Sequence, residues 1–140
     1  MRKITNEELN RPSAGEFAAM EKMPVAVVLD NVRSLQNVGA FFRTGDAFAV
    51  ERIALCGITA RLRAEGYRVY AVEQVEGAVM LGDFRAEPGV KYALVFGNEV
   101  MGVGQQAVDM CHGAIEIPQA GTKHSINVSV SGGVVLWDFF

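Results

Sequence analysis

The stretch Tyr92-Ala93-Leu94-Val95-Phe96-Gly97-Asn98-Glu99-Val100-Met101-Gly102 decides the fold. Five consecutive apolar residues without alternation suit a strand covered on both faces. A glycine and two polar residues then stand at its carboxyl end. Four further runs have the same character: 25–29 ending at Asp30, 52–56 ending at Gly57, 68–72 ending at Glu73, and 114–117 ending at Pro118. Between the first two, Val38, Phe41, Phe42, Gly45, Phe48 and Ala49 recur at helical spacing and form one apolar stripe, with Arg43 pointing away. A second helix is expected over 105–110. Strands alternating with helices predict an α/β domain of three layers around a parallel sheet.

The 140 residues suit one domain, 23–140, preceded by a polar arm, 1–22, with a short helix over 14–22. Half the residues are apolar, which excludes global disorder. Thirteen Lys and Arg against sixteen Asp and Glu give a net charge of −3, which excludes binding to nucleic acid by bulk charge but not a local basic site. The N-terminus carries no apolar stretch, so neither a signal peptide nor a membrane span is expected. Cys56 and Cys111 stand far apart and form no Cys-x-x-Cys, so they read as buried free thiols in a reducing cytoplasm.

Two segments resist the pattern. After run two, a helix-like Arg61-Leu62-Arg63-Ala64-Glu65 begins at once and Gly66 stops it. A parallel crossover normally takes a dozen or more residues. Residues are therefore expected to be missing between Ala60 and Arg61, an expectation that a continuous peptide bond there would contradict. In the tail, 126–131 alternates like a strand, yet Ile126, Val130, Val134 and Trp137 keep a helical face. The residues alone leave both readings open.

Ligands of open α/β sheets bind beyond the carboxyl ends of the strands. Here those ends carry Asp30 to Asn37, Glu73-Gln74, Gly97 to Gly102 and Pro118 to Ser125. Any one such cluster reads as a turn with a helix cap, but together they mark a site. Neither a Gly-x-Gly-x-x-Gly nor a phosphate-binding Gly-x-x-x-x-Gly-Lys-Ser/Thr is present, which disfavours an ordinary nucleotide-binding α/β domain. His112 and His124 lack partners at ligand spacing, so no metal is expected.

Three stretches carry a resemblance. They are Asn37-Val38-Gly39-Ala40-Phe41-Phe42-Arg43-Thr44, then residues 94–103, then Ile117-Pro118-Gln119-Ala120-Gly121-Thr122-Lys123-His124-Ser125-Ile126-Asn127-Val128-Ser129-Val130. In their order and spacing, apart from the suspected gap, they resemble the three motifs of the SpoU/TrmH-type RNA ribose methyltransferases of the SPOUT superfamily. The resemblance covers residue 24 to the C-terminus.

That resemblance implies a deep C-terminal trefoil knot, a helical tail from Ser125, and S-adenosylmethionine held bent in the knotted loops. It implies a homodimer with the site completed across the interface, where the apolar tail 134–140 would be buried. Methyl transfer to a ribose 2′-hydroxyl of RNA follows, with tRNA favoured and rRNA the other candidate. The competing reading is a knotted RNA- or cofactor-binding module without transfer activity.

Carried over by position, the catalytic residues would be Asn37, Arg43, Glu99, Ser125 and Asn127. The cofactor would meet Glu73, Phe96, Gly97, Asn98, Ile117, Gln119, Gly121, Ser125 and Ile126. Gly97 and Gly121 are expected to let backbone approach it. Arg33, Arg43 and Lys123 would contact RNA. Arg43 stands where the family has a proposed base, but a guanidinium stays protonated, so it reads better as a phosphate clamp. Glu99 is expected to orient Asn37 and Arg43. Gln119, where methionine is frequent, and Ile126, where leucine is frequent, depart from the common pattern.

Overall fold

The protein is described here from a computed structural model, which covers residues 1–5, 7–56, 58–122 and 125–140. Six strands, β1 (Met23–Leu29), β2 (Val50–Leu55), β3 (Arg68–Val72), β4 (Val79–Met80), β5 (Tyr92–Phe96) and β6 (Gly113–Glu116), form one sheet in the order β2-β1-β5-β3-β6-β4. Every pairing is parallel. Val27 lies opposite both Leu94 and Ile53, and Leu29 opposite both Phe96 and Leu55. All five residues of β5 are buried, as are the last five of β1, which explains their unbroken apolar run.

Helices cover both faces, so the domain has the expected three layers. On one face Phe41 of α2 (Leu35–Ala47) and Val135 and Leu136 of α5 (Val128–Phe139) pack on Val25, Val27, Leu94 and Phe96. On the other, Leu62 of α3 (Thr59–Ala64) and Ala107 and Val108 of α4 (Gln105–Asp109) pack on Ala26, Val28, Val69 and Val95. The stripe on α2 is narrower than its spacing predicts: Phe41 is 1% exposed but Phe42 is 49% exposed. α1 (Ala14–Ala19) in the arm is shorter than expected, starts in a Ser13/Glu16 capping box and buries no residue.

The tail is a helix. Asn127 caps it, its Oδ1 accepting from the backbone of Ser129 (2.9 Å) and Val130 (3.3 Å). Glycine sets how closely it approaches α2. A Cβ on Gly132 would lie 2.2 Å from Phe41 Cε1, so only glycine fits.

Two expectations need correction, and one element was not foreseen. Ala60 and Arg61 are consecutive residues of α3, with Leu62 N–H donating to Ile58 O at 2.9 Å, so the chain has no break there. β2 and β3 are not neighbours in the sheet, and α3 with Gly66 (φ +86°) joins them directly. The short edge strand β4 was not foreseen. Cys56 is exposed rather than buried; only Cys111 is half-buried, where burial pushes its thiol up to about 11.

Among the described residues, no helix is long and apolar enough to cross a membrane.

Candidate functional site

The chain runs outward from β1 to β2, crosses to β3, and returns to insert β5 between β1 and β3. The carboxyl ends of β3, β5 and β6 therefore open side by side, and a cavity of about 510 Å³ lies there. That is a cofactor-sized volume. Its wall includes Glu73, Phe96, Gly97, Asn98, Glu99, Ile117, Gln119, Ser125, Ile126 and Asn127, from stretches far apart in sequence. Val72, Gln74, Glu116 and Ser131, outside the three motif stretches, and Val100, Met101, Gly102 and Val128, inside them, complete the same wall.

The loop after β5 is braced from several sides. Asn98 and Gly102 exchange two backbone hydrogen bonds of 2.9 Å. Asn98 Oδ1 accepts from the N–H of Val100 (2.9 Å) and Met101 (3.1 Å), and its amide donates to Asn31 O at 2.9 Å. Glu73 Oε2 accepts from Val103 N–H at 2.8 Å, and Asp30 Oδ2 accepts from Gly104 N–H at 3.1 Å. Gly97 is required by this fold-back: a Cβ would lie 2.0 Å from the Gly102 carbonyl carbon. The protein's own backbone already occupies the space beside it. Gly97 lines the cavity, whereas Gly121 has nothing within 4 Å of a Cβ and is not among the lining residues.

A second network joins three motifs. The Asn37 amide donates to Glu99 Oε1 at 2.9 Å, and Asn37 Oδ1 accepts from the Asn127 amide (3.1 Å) and Ser129 Oγ (3.3 Å). Glu99 also accepts from the backbone N–H of Ser34 (3.1 Å) and Arg33 (3.3 Å). The Asn37 amide, Glu99's own N–H and those of Ser34 and Arg33 hold its carboxyl down at about 2. Asn37 is 8% exposed, and both of its side-chain polar atoms have partners in these bonds. Glu99 thus orients Asn37, as expected. Ser129 was missed; its only signal was its place two residues after a capping Asn.

Arg43 is not brought to this cavity. It lies on the exposed side of α2 and makes no hydrogen bond or ion pair among the described residues, so Glu99 does not orient it. Arg33 lines a groove beside the cavity, with Asn31, Ser34, Asn98, Glu99, Val100 and Met101. Lys123 and His124 lie outside the described residues. No group of three or more His, Cys, Asp or Glu among the described residues could hold a metal ion.

Residues 56–137 match the model of the SpoU rRNA Methylase family, which is more than half of the chain. The chain belongs to the SpoU rRNA methylase family. Curated relatives extend the match beyond those residues. A tRNA (guanosine(18)-2′-O)-methyltransferase of Thermus thermophilus is 29% identical over 161 positions, covering 94% of this SpoU-family chain and 81% of that protein. A 23S rRNA (guanosine-2′-O-)-methyltransferase of Haemophilus influenzae is 27% identical, covering 94% of this chain and 65% of that protein. A tRNA (guanosine(18)-2′-O)-methyltransferase of Mus musculus is 36% identical over 77 residues, which are 5% of its length.

The Thermus alignment is longer than the 140 residues of the whole chain, so that relative carries positions this chain lacks. Solved structures agree in fold. A TrmH/SpoU tRNA modifying enzyme of A. aeolicus superposes with TM-score 0.72 at 23% identity, covering 84% of this chain and 74% of that one. An AdoMet-bound rRNA methyltransferase of Sinorhizobium meliloti gives 0.70 at 22% identity, covering 85% and 59%.

Proposed function

We propose that this SpoU-family chain is an RNA 2′-O-methyltransferase that uses S-adenosylmethionine, with tRNA the favoured substrate and rRNA the other. The observation that carries this reading is the hydrogen-bonded network that ties the first motif to the second and third at the edge of one cavity. Glu99 and Asn127 line that cavity, and Asn37, which is not among its lining residues, is bonded to both. The relatives' printed activities support the same reading.

The residues present fit S-adenosylmethionine. The cavity at the strand ends has the volume for it, and its wall mixes the apolar faces of Phe96, Ile117 and Ile126 with the carboxylate of Glu73. Phe96, Gly97, Asn98, Ile117, Gln119, Ser125 and Ile126 would hold it, with Glu73 bracing the loop from behind. The bound cofactor would supply an electrophilic methyl on its sulfonium. The chain's own part is positioning. The Asn37–Glu99–Asn127 network fixes the loop that faces the ribose, and Ser125 stands on the same wall. Arg43 and Lys123 would clamp phosphate, the Arg43 guanidinium also favouring loss of the hydroxyl proton through its field.

Because Arg43 stands away from the cavity of its own chain, we place it in the site of a second copy within a homodimer. The apolar residues that remain exposed on α5, Val130, Val134 and Trp137, together with Phe42 next to Arg43, are the surface such a pairing would bury. The expected trefoil knot belongs to the same reading, and the protein would work in the cytoplasm.

Labelled methyl from S-adenosylmethionine, offered with tRNA and rRNA, tests this reading: label in RNA is expected. Cofactor binding without label in any RNA would leave the binding module instead.

A further inference from the structure

We infer that the tip Val100-Met101, with the groove beside it, is the platform for an unpaired base of the RNA, the base carried by the ribose that is methylated. This rests on the methyltransferase reading and adds the subsite to it.

Val100 and Met101 are 86% and 82% exposed. Isolated exposed apolar residues are common on proteins and ask for no explanation. These two differ because the structure holds them rigidly in that position. Both of their N–H groups are tied to Asn98 Oδ1, the flanking Asn98 and Gly102 are paired through their backbones, and the Asn98 amide anchors the whole turn to Asn31. Gly102 adopts φ +67°, a conformation that turns the chain back at once. A tip ordered in this way offers apolar surface without an ordering cost on binding.

The placement identifies the occupant. Glu99 stands between two depressions. The cofactor cavity lies on one side, and on the other lies the groove of Asn31, Arg33 and Ser34; Val100 and Met101 line both. A methyl acceptor must reach from outside to the cavity mouth, so the nucleoside carrying it has to lie across this rim. An apolar, flat group beside Val100 and Met101, with a phosphate near the exposed Arg33, matches a nucleotide pulled out of its stack. The Arg33 side chain makes no hydrogen bond among the described residues, which leaves it available to the phosphate.

The test is a coupling experiment on the RNA that accepts label. That RNA is prepared with the target base present or removed, leaving the ribose in place. Both forms are methylated by the wild type, by Val100→Ala/Met101→Ala, and by Val100→Ile/Met101→Leu. Cofactor affinity is measured alongside by calorimetry. Removing the base should cost the wild type about tenfold or more in kcat/KM, the scale of one stacked base. The alanine pair should lose most of that discrimination, and the Ile/Leu pair should keep it. Equal discrimination by the wild type and the alanine pair overturns the inference while leaving the methyltransferase reading intact. Absence of label in any RNA defeats that reading itself and takes the inference with it. Both positions are exposed, so the substitutions do not threaten folding.

Discussion

Asn37 and Glu99, 62 residues apart, are bonded side chain to side chain at 2.9 Å, and that bond ties the start of α2 to the loop after β5. Asn37 in turn receives the Asn127 amide, so the cap of α5 is fastened to the same point.

Replacing the carboxylate therefore disturbs the site more than the fold. Glu99→Gln keeps one acceptor oxygen but presents an amide where the second accepts Arg33 N–H. We expect kcat to fall by about 10²-fold, the scale of a misplaced reacting group, with the folded state retained. The pH dependence carries a sign. Glu99 titrates at about 2 in the fold against an ordinary 4.5. Its contribution to stability is thus present above about 4.5 and is lost as pH falls toward 2. The Tm gap between wild type and Glu99→Gln should be constant above pH 4.5 and shrink below it. A gap that widens in acid would contradict this network.

Gly132→Ala tests the approach of α5 to α2. Alanine favours a helix over glycine by about 1 kcal/mol, yet its Cβ would meet Phe41 Cε1 at 2.2 Å. Overpacking of this kind costs about 1–3 kcal/mol. Net destabilisation in urea unfolding is expected, with partial recovery when Phe41→Leu is added. A stabilised Gly132→Ala would show that the two helices are not held this closely.

Gly97→Ala separates loop geometry from folding. The obstacle is the backbone at Gly102 and Val103, which cannot rotate aside as a side chain can. The loop after β5 must move away from the cavity wall. Calorimetry should show cofactor affinity reduced at least tenfold, while far-UV circular dichroism keeps the wild-type spectrum. Unchanged affinity would mean the fold-back plays no part in the site.

The dimer is tested by complementation. Arg43→Ala and Asn37→Ala should each lower kcat/KM by about 10²-fold. If Arg43 serves the site of the other copy, mixing the two variants creates one site with both residues intact, and activity should return. No recovery after mixing, with subunit exchange verified, would contradict the placing of Arg43 in the second copy's site. Trp137→Glu, at a residue 69% exposed, should shift light scattering from dimer to monomer.

The sheet was legible because β1 and β5 are buried on both faces and so write themselves as unbroken apolar runs. β4 was not, since two exposed residues make no pattern. The tail shows where periodicity alone stops: 126–131 alternates, but Asn127 caps a helix through its own side chain, and a cap overrides a two-residue rhythm at a helix start. In the site, the motifs singled out Asn37, Glu99 and Asn127 and led to the expected Glu99–Asn37 contact, whereas the bond from Asn127 to Asn37, 90 residues apart, was not read. Arg43 shows the reverse. The motif named it, but a single chain does not bring it to the cavity.

The most direct measurement is nucleoside analysis of RNA after incubation with labelled S-adenosylmethionine and this protein. The label is predicted in a 2′-O-methylnucleoside, at one position of tRNA or rRNA, and its rate of incorporation is predicted to fall about 10²-fold with Arg43→Ala. Label found only on a base, or no methylated nucleoside in any RNA while the cofactor binds, would contradict ribose methyl transfer by this chain.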